Sequence, residues 1–447
     1  NNQYLAFYAS SHGFGHMTRC LAIIEELLET TDHLIYLASG AYQNSFARVY
    51  LARFGDRVTY RDIRTEVGLV NKDNSLQVDI PRLEHELTDF MAGWDTAVAA
   101  EVAILRDLPV ACVISDISAI GIQVGEQLGV RNIGIANFTW CEQYEFLGLS
   151  EILIDRFREV YAKLDLLIEY DLMLPAPKLT VPRKQIGFIC RRFDPDRIAV
   201  IKAQYGPSIF ITSGKSADLD NIQIDNYEGT IFATSGINIT ATGNATVVQL
   251  PVETFDTHNY LAASDIVIAK AGWGTISEAL LSKRNLVLID REGVLEDTEN
   301  IEELKRRGVA VSIKESDLAR IDMHEISDLI ADNIIRENLD VYQDSLKDIN
   351  ANYNAEGVPA PMNTLFIGAH FVLGSLAPVK MCLPEHGHFP VAQYGEARLT
   401  GGDNPLGILF SGAKTERKHA AIRILFINAD GSVLFSQGAR GRIFRHS

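Results

Sequence analysis

Cysteine is scarce in this sequence, and the way it is distributed argues against two kinds of protein. The five cysteines are scattered through 447 residues, are odd in number and form no Cys-x-x-Cys pair. Small disulfide frameworks need paired cysteines, and structural zinc sites need clustered ones. The pattern therefore predicts a cytoplasmic protein in a reducing compartment, and we expect no metal site.

Long apolar runs and an excess of positive charge are also missing. No apolar stretch reaches the roughly 20 residues of a membrane-spanning helix, and no charged segment precedes the first apolar stretch as in a secretory signal. The formal net charge is −17. Nucleic acids and anionic membranes both attract clustered Lys and Arg. We therefore expect a globular chain with no nucleic-acid partner and no stable membrane insertion; the oligomeric state is not indicated.

Short apolar runs alternate with segments of helical periodicity. YLAFYAS at 4–10 and VACVISD at 110–116 have the pattern of buried strands, and TRCLAIIEELLE at 18–29 has that of a helix. A stretch with four prolines at 174–196 separates this series from a second one, which begins with SIFITSG at 208–214. Alternation of this kind is typical of parallel βαβ units. The sequence thus predicts an α/β fold in which two Rossmann-like domains face a cleft.

The chain is predicted to have three parts, 1–185, 186–361 and 362–447. The first two are the Rossmann-like domains. In the third part basic residues outnumber acidic ones, the reverse of the rest, and the apolar residues follow strand patterns. These include GILFSGA at 407–413 and a hairpin around Asp430-Gly431. We expect a small β-rich C-terminal module, whose role the sequence does not indicate.

The first loop, SSHGFGHMTR at 10–19, combines glycines and histidines between a strand and a helix. Gly13 and Gly15 let the backbone turn tightly and approach a ligand, and a helix that starts near His16 offers free N–H groups. An imidazole at this place is suited to take a proton from a hydroxyl, although a polar cap on a tight turn is the alternative. Asp116, at the end of another strand, could hold the imidazole or simply cap the helix after it.

A second turn, KAGWGTISE, has the same composition. A strand is predicted to run into Gly272 and Gly274, and a helix to carry Glu278 in its first turn. The amides of Gly274 and Thr275 could hold a diphosphate at the helix start, and the carboxylate of Glu278 could accept hydrogen bonds from two ribose hydroxyls. The spacing of Thr275 and Glu278 equally fits a capping box.

Two kinds of side chain near these turns have competing interpretations. Trp273 could stack on a base or a sugar, or it could pack in the interior. Lys215 and Lys270 could meet phosphate oxygens, or they could be solvated loop lysines. The sequence leaves both questions open.

Taken in order, the motifs resemble those of a known group of enzymes. The KAGWGTISE turn, the strand after it and the E-x-x-x-N helix at 296–300 resemble the donor half of GT-B nucleotide-sugar glycosyltransferases. The likeness is strongest to the group with the peptidoglycan N-acetylglucosaminyltransferase and the glycosyltransferase-like N-terminal part of plant arabinokinases. SSHGFGHMTR and the run ISDISAI…IANFTW at 114–140 are similar to segments of those arabinokinases. The resemblance covers roughly residues 4–358.

The resemblance implies a hexosyltransferase-type glycosyltransferase that moves a sugar, with inversion and without a metal, from a nucleotide sugar to an acceptor hydroxyl. It favours a UDP-sugar as donor, implies no cofactor, and leaves the acceptor unidentified. His16 matches the family's base and Asp116 its carboxylate partner. The residues that match donor-binding positions are Gly13, Gly15, Ser213, Gly214, Leu250, Gly272, Trp273, Gly274, Thr275, Glu278, Glu296 and Asn300.

The implied donor contacts differ in kind. Ser213 and Gly214 match a loop that faces the phosphates, and Leu250, with Pro251 after it, matches a segment whose backbone borders the base. Glu296 falls near the transferred sugar and Asn300 at the start of a helix. Asp297 departs from the family, since many relatives carry Gln or His there, so the sugar is not indicated.

Two functions of other kinds fit the same motifs. A nucleotide-sugar 2-epimerase would share the diphosphate turn and the ribose glutamate, but it would eliminate and add within one substrate. No obvious set of additional acidic and basic groups around the sugar supports it. A non-catalytic nucleotide-sugar binder or scaffold would keep the donor contacts without needing His16 as a base.

Overall fold

The chain divides into two compact units, Asn1–Val358 and Pro359–Ser447. The computed structural model describes residues 3–73, 77–213, 219–291 and 293–347 of the first unit, and four strands of the second. Within the first unit the described strands belong to two large parallel sheets and one small one. The prediction of an α/β fold is confirmed.

Seven of the described strands form the first sheet, in the order β3-β2-β1-β4-β5-β6-β7 and parallel throughout. They are β1 (Tyr4–Tyr8), β2 (Leu34–Ser39), β3 (Val58–Asp62), β4 (Val110–Asp116), β5 (Arg131–Ala136), β6 (Leu166–Glu169) and β7 (Arg183–Gln185). The helices between them are α1 (Gly15–Thr30), α2 (Ala41–Tyr50), α3 (Ile80–Ala92), α4 (Trp94–Leu105), α5 (Ala119–Leu128), α6 (Trp140–Phe146) and α7 (Glu151–Tyr161). We call this part of the chain, residues 3–185, the front half.

A second set of described strands forms two further parallel sheets, ordered β12-β10-β8-β13-β14-β15 and β11-β9-β16. They are β8 (Ser208–Thr212), β9 (Leu219–Asp225), β10 (Thr230–Ala233), β11 (Ile237–Ala241), β12 (Thr246–Gln249), β13 (Ile266–Lys270), β14 (Asn285–Asp290), β15 (Ala310–Lys314) and β16 (Ile321–Asp322). The helices are α8 (Pro195–Tyr205), α9 (Thr257–Ala263), α10 (Trp273–Leu281), α11 (Leu295–Arg306), α12 (Met323–Asn333) and α13 (Arg336–Leu339). We call residues 194–347 the rear half.

Each large sheet has a point where the strand order reverses. It lies between the neighbours β1 and β4 in the front half and between β8 and β13 in the rear half. The chain leaves such neighbours in opposite directions, so a crevice opens beyond their carboxyl ends, where open α/β sheets bind ligands. The loop with His16 follows β1, Asp116 ends β4, and Gly272 follows β13. The fold therefore places both sequence motifs at these reversal points.

The strands that lead to these loops are apolar because they are covered on both faces. Leu5 and Phe7 of β1, and Ile114 of β4, are fully buried, as are Val267 and Ile268 of β13. Central strands of parallel sheets are covered by helices on both faces, so their sequences are continuous apolar runs. This burial makes the frame behind the loops rigid.

The proline-rich stretch is more ordered than its composition suggests. It contributes the short edge strand β7, which the sequence analysis did not predict. At its end, Asp194 accepts hydrogen bonds from the backbone N–H groups of Asp196 and Arg197 and so caps α8. The Asp-Pro-Asp at 194–196 is thus a helix start, since Pro is well suited to the first helical position.

The second unit contains an antiparallel sheet of four described strands in the order β17-β18-β19-β20. They are β17 (Tyr394–Arg398), β18 (Gly407–Ala413), β19 (Ala420–Ile427) and β20 (Val433–Gly441). The predicted strand GILFSGA coincides with β18. β19 and β20 pair as the two arms of the predicted hairpin, whose turn at Asp430-Gly431 lies outside the described residues.

Two further observations concern membrane-spanning helices and the state of the cysteines. Among the described residues, no helix combines the length and the apolar composition needed to cross a bilayer. The four cysteines in the described ranges are free and buried; they are Cys20, Cys112, Cys141 and Cys190.

A buried carboxylate links α4 to three strands of the first sheet. Glu101 is fully buried; its Oε2 accepts hydrogen bonds from the hydroxyls of Tyr8 and Tyr36, both at 2.9 Å, and its Oε1 accepts one from Arg61 Nε at 2.7 Å. Hydrogen bonds to an ionised acceptor are stronger than neutral ones. We expect Glu101→Gln, which keeps the shape but removes the charge, to lower the free energy of unfolding by about 1–2 kcal/mol, measured by urea denaturation.

The control for this prediction is Glu126→Gln, which removes the exposed ion pair between Glu126 and Lys163. Exposed pairs contribute about 0–1 kcal/mol, so the midpoint of its urea transition should stay close to wild type. A Glu101→Gln midpoint equal to that of the control would contradict the importance of the buried carboxylate.

Candidate functional site

The first loop is held in one conformation by side chains from neighbouring elements. Gly13 adopts a left-handed backbone conformation with φ of +70°, which glycine adopts without strain. Gln43 of α2 donates from Nε2 to the carbonyls of Ser11 and Gly13, at 2.8 and 3.2 Å. α1 begins at Gly15, and no side chain caps its start. The loop thus presents a fixed, uncapped helix N-terminus.

His16 and Asp116 are in contact, as the sequence analysis required. His16 Nδ1 lies 3.0 Å from Asp116 Oδ1, and the imidazole keeps 12% of its surface exposed while the carboxylate has none. The alternative role for Asp116 is wrong, because the cap of α5 is Ser118, whose hydroxyl accepts from the N–H of Gly121. Because Nδ1 faces the carboxylate, Nε2 is the ring nitrogen that remains for a substrate.

A third residue, Arg19, binds the same carboxylate. Its Nε and Nη2 donate to the two oxygens of Asp116, each at 2.5 Å. Burial alone would raise the pKa of Asp116, but the positive charge of Arg19 and then the His16 ring lower it to about 2. Asp116 is therefore an ionised, buried carboxylate at neutral pH.

The second turn is the N-terminus of α10. The helix begins at Trp273 with Gly272 as its cap residue, and no side chain satisfies the first N–H groups. Glu278 is therefore in the second turn of the helix, not in the first as predicted. The capping box of Thr275 and Glu278 is also wrong, because the cap position is Gly272. The free amides at the start of α10 remain available to an anion.

The two helix starts face each other across the halves at very short range. A Cβ placed on Gly274 would lie 3.3 Å from Gly15 Cα, 3.5 Å from Gly15 O and 3.6 Å from Thr18 Oγ1. A side chain at 274 would be slightly too close to Gly15 Cα, so glycine suits this approach. The structure therefore brings Gly15 and Gly274, predicted separately from two motifs, into direct contact.

Trp273 is a packing residue rather than an open stacking platform. Its side chain is 2% exposed, and its ring lies 4.4 Å from that of Tyr170 and 5.6 Å from that of Phe188, centroid to centroid. Its Nε1 donates to the carbonyl of Asp171 at 2.8 Å. Of the two interpretations that the sequence left open, the structure favours packing: the ring contacts residues of the front half, and the backbone of Trp273 lies at the turn.

Glu278 is already paired within the protein. Arg191 Nη2 donates to Glu278 Oε1 at 2.9 Å, and Arg191 Nη1 donates to the carbonyl of Phe255 at 2.7 Å. Both Arg191 and Glu278 are buried. A ribose at this site would thus share the carboxylate with Arg191, a residue that the sequence analysis missed because nothing in its surroundings marks it.

Glu296 and Asn300 of α11 make different contacts. Glu296 Oε1 accepts from Asn137 Nδ2 of the front half at 2.8 Å, and burial, then the charge of Asp297, raises its pKa. Asn300 lies in the second turn of α11 and not at its start; its Nδ2 donates to the carbonyl of Ala271 at 3.0 Å. Asn300 thus supports the glycine turn from behind.

Asp297, the position that departs from the family, has a local partner. Arg291 Nε donates to Asp297 Oδ2 at 2.5 Å and Arg291 Nη2 to Oδ1 at 3.1 Å, and both side chains are buried. The carboxylate is therefore neutralised inside the rear half. This explains how an acidic side chain is accommodated at this buried position.

Two of the remaining predicted donor residues, Ser213 and Leu250, lie directly after strands of the second sheet. Ser213 follows β8 and is fully buried. Leu250 follows β12, is 4% exposed, and donates its N–H to the carbonyl of Ala233. Gly214 and Lys215 lie outside the described residues.

Lys270 gives the rear turn a positive charge. A Cβ on Gly272 would lie 3.5 Å from Lys270 Cε, so the lysine side chain folds back over the turn. Burial and then the charge of Arg291 lower the pKa of Lys270 to about 8. Burial and then the charge of Lys270 lower the pKa of His12, in the loop between β1 and α1, to about 3. Lys270 and this loop therefore influence each other electrostatically.

A groove of about 640 Å³ lies elsewhere, where the chain crosses between the halves. It is lined by Asp171, Phe188, Arg307 and Tyr342, among others. Arg307 donates to both oxygens of Asp171, at 2.9 and 2.8 Å. The groove contains none of the predicted site residues.

The sequence is similar to glycosyltransferases and to a plant sugar kinase. Residues 208–350 match the family model of the glycosyltransferase family 28 C-terminal domain. The chain is 25% identical over 310 residues to an L-arabinokinase of Arabidopsis thaliana, a match that covers 64% of this chain but only 28% of that protein. It is 24% identical over 362 residues to an uncharacterized glycosyltransferase of Methanosarcina mazei, covering 75% and 92% of the two chains.

Solved structures agree on the fold. The UGT2 of Phytolacca americana, solved with UDP-2fluoro-glucose and pterostilbene, is 11% identical with a TM-score of 0.50, covering 83% of this chain and 99% of that one. The spinosyn forosaminyltransferase SpnP is 13% identical with a TM-score of 0.50, covering 83% and 100%. The fold is that of the GT-B glycosyltransferases, and the expected resemblance is confirmed. Together with the family 28 match, it supports sugar transfer from a nucleotide sugar as the class of activity.

Proposed function

We propose that this chain transfers a hexosyl group from a UDP-sugar to an acceptor hydroxyl, with inversion at the anomeric carbon. The observation that carries the proposal is the meeting of two helix starts. The imidazole of His16, held by Asp116 at 3.0 Å, lies beside the front one, and the glycine turn of α10 forms the rear one. The proposal assigns the acceptor to the front half and the donor to the rear half.

His16 is assigned the role of general base. With Nδ1–H donating to Asp116, Nε2 has a lone pair for the proton of the acceptor hydroxyl, and the carboxylate stabilises the imidazolium that forms. The buried position of Asp116 strengthens this interaction, because little water screens it. Such catalysis typically contributes about 10²–10⁴-fold in rate.

The leaving diphosphate is assigned to the start of α10. The amides of the turn from Gly272 to Thr275 and the partial positive charge of the helix stabilise an anion there, and the ammonium group of Lys270 adds a full charge. In this proposal, protein groups alone balance the charge of the leaving group.

Inversion is supported by the placement of base and leaving group on opposite halves. An acceptor activated by His16 approaches the sugar from the front, and the diphosphate departs to the rear, so attack and departure are in line. No side chain has to form a covalent intermediate in this arrangement.

Two further parts of the proposal rest on other observations. The UDP-2fluoro-glucose bound to the Phytolacca enzyme supports uridine as the nucleobase of the donor. The cysteine pattern supports a cytoplasmic location.

The test begins with binding and ends with product stereochemistry. UDP, GDP, dTDP and their common sugars are screened by thermal shift, and hits are incubated with hydroxylated acceptors while release of the nucleoside diphosphate is followed. We expect stabilisation by UDP, and a product whose anomeric configuration, by proton NMR, is opposite to that of the donor. Retention of configuration would contradict the mechanism, and interconversion of the donor sugar without an acceptor would favour a 2-epimerase.

Lys270 provides a prediction about pH. The group is protonated below its pKa of about 8 and loses its charge as the pH rises through that value, so an anionic donor should bind more weakly above pH 8. We expect Lys270→Met to raise the Kd for UDP about tenfold at pH 7, a loss of about 1.4 kcal/mol, and to abolish the pH dependence near 8. Isothermal titration between pH 6.5 and 9.5 measures both effects.

Lys163→Met is the matched control, because Lys163 is a solvent-accessible lysine on the front half, paired with Glu126. It should leave the Kd for UDP and its pH profile unchanged. A Lys270→Met protein that still loses UDP affinity near pH 8 would show that another group titrates there.

A further inference from the structure

Arg19 lies one helical turn after His16 and makes several buried polar contacts. Besides its two hydrogen bonds to Asp116, its Nη1 donates to Asn137 Oδ1 at 2.5 Å, and its Nη2 lies 2.9 Å from His16 Nδ1. Only 3% of the residue is exposed. An arginine buried to this degree is fixed in place, because its charge is costly unless it is fully paired.

The position of Arg19 creates a competition for one nitrogen atom. His16 Nδ1 lies 3.0 Å from a carboxylate oxygen, which only accepts, and 2.9 Å from a guanidinium nitrogen, which only donates. A protonated Nδ1 satisfies Asp116, and an unprotonated Nδ1 satisfies Arg19. Protonation of both ring nitrogens therefore brings two positive groups together, so Arg19 opposes the charged form of the ring that Asp116 favours.

Two aromatic rings, one from each half, lie beside the guanidinium of Arg19. Arg19 Cζ lies 5.1 Å from the centroid of the Tyr170 ring and 5.4 Å from that of Trp273, a range in which aromatic faces attract cations. Trp273 is the first residue of α10, next to Gly272 at the donor turn. The guanidinium thus connects the base to the element that is assigned to the diphosphate.

We propose that Arg19 is a positioning residue: it orients Asp116, disfavours the doubly protonated ring of His16, and is itself kept in place by Trp273. The inference rests on the proposed function, since it assigns His16 the role of base. Because Trp273 belongs to the rear half, the inference makes the basicity of His16 depend on contact between the two halves.

Other charged groups around His16 do not replace Arg19. Glu296 of α11 faces the ring from the rear half and is hydrogen-bonded to Asn137. His12 faces it from the first loop and is neutral at pH 7, because its pKa is about 3. Asp116 is the ionised carboxylate that contacts the ring directly. Removing the positive charge of Arg19 therefore leaves the ring facing negative charge.

The test follows the histidine rings directly and needs no activity. Protein labelled with nitrogen-15 in histidine is titrated by two-dimensional NMR, and the signals of His16 are assigned by their loss in His16→Gln. We expect the midpoint of the His16 titration to move to higher pH by about one unit or more in Arg19→Met. Arg19→Lys, which keeps one charge but not the paired hydrogen bonds, should show a smaller shift in the same direction.

The control is Arg192→Met, which removes exposed ion pairs with Glu26 and Glu29 of the front half without touching His16. Its His16 titration should match wild type. If the midpoint of the His16 titration in Arg19→Met equals that of wild type, the proposal is overturned, whatever the effect on thermal stability. A merely structural role of Arg19 would lower Tm without moving this midpoint.

Trp273 allows a second test in which Arg19 is kept, so it applies even where Arg19 variants do not fold. Trp273→Phe and Trp273→Leu both lose the hydrogen bond to the carbonyl of Asp171, but only the leucine loses the aromatic face. We expect the His16 midpoint to rise in Trp273→Leu relative to Trp273→Phe; equal midpoints would overturn the role of Trp273.

Kinetics separates this inference from the proposed function. If transfer is found, the acidic limb of the kcat/KM profile of Arg19→Met should move to higher pH together with the NMR midpoint of His16. We expect kcat to fall about ten- to a hundredfold and the Kd for UDP to remain unchanged. If no donor supports transfer, the NMR shift still decides whether Arg19 controls His16. If Arg19→Met is active but the acidic limb of its kcat/KM profile does not move, the inference about Arg19 is contradicted, while the proposed transferase function is not.

Discussion

Replacement of His16 by alanine is expected to lower the rate of sugar transfer about 10²–10⁴-fold at saturating donor. The side chain is assigned to remove the acceptor proton, and no other histidine contacts Asp116 among the described residues. The effect should fall on kcat, since the ring is not assigned to donor binding. Release of nucleoside diphosphate at several acceptor concentrations gives kcat, and isothermal titration gives the Kd for UDP, which should remain within about twofold.

The matched control is His33→Gln. His33 is a buried histidine of the same half; its Nδ1 lies 3.3 Å from the carbonyl of Gln3, far in sequence from the loop that carries His16. Its transfer rate should equal that of wild type. Full activity of the His16 variant would remove the proposed base. Loss of UDP binding together with transfer would instead indicate a structural defect.

Asp116→Asn is expected to damage both stability and catalysis. The substitution keeps the shape but leaves the buried charge of Arg19 without its counter-ion, and breaking a buried pair from one side costs about 3–5 kcal/mol. In addition, an amide cannot stabilise the imidazolium of His16, and the loss of the corresponding carboxylate in a catalytic triad costs about 10⁴-fold. Urea denaturation and single-turnover transfer measure the two effects separately.

The stability effect should depend on pH in a defined direction. The folded-state pKa of Asp116, about 2, lies below the ordinary value of 3.8, so its ionised form stabilises the fold above pH 4. That contribution is lost as the pH falls from about 4 to 2, and the difference between wild type and Asp116→Asn should shrink over the same interval.

Asp171→Asn is the control for this pair, since Asp171 also binds an arginine, Arg307, with both oxygens but is 30% exposed. It should cost no more than about 1 kcal/mol and leave transfer intact. An Asp116→Asn protein as stable as this control would show that Arg19 has another partner.

The parallel sheets follow from local sequence. Continuous apolar runs such as those of β1, β4 and β13 have little alternative to a strand covered on both faces, and glycines mark the points at which the chain must turn. The boundaries of the helices were less predictable. Glu278 and Asn300 fall a turn later than expected, because helices begin where the backbone first closes its hydrogen bonds, and side-chain spacing does not fix that residue.

The same limit applies to residues that act through contacts distant in sequence. Arg19 shares a helix face with His16 at a spacing of three, a pattern that could have drawn attention to it. Arg191 has no such pattern, since its partner Glu278 is 87 positions away. Asn137 and Glu296 meet across 159 positions. Charge and residue type alone do not indicate such pairs.

The sequence by itself determined which chemical groups are present and which strands they follow, because apolar runs and glycine turns are encoded locally. Only the tertiary structure decided which of those groups meet. It placed the indole of Trp273 in the packing between the halves, paired Glu278 with Arg191, and brought both His16 and Arg19 to Asp116. These outcomes depend on how the helices and sheets pack, and packing is a property of the whole chain.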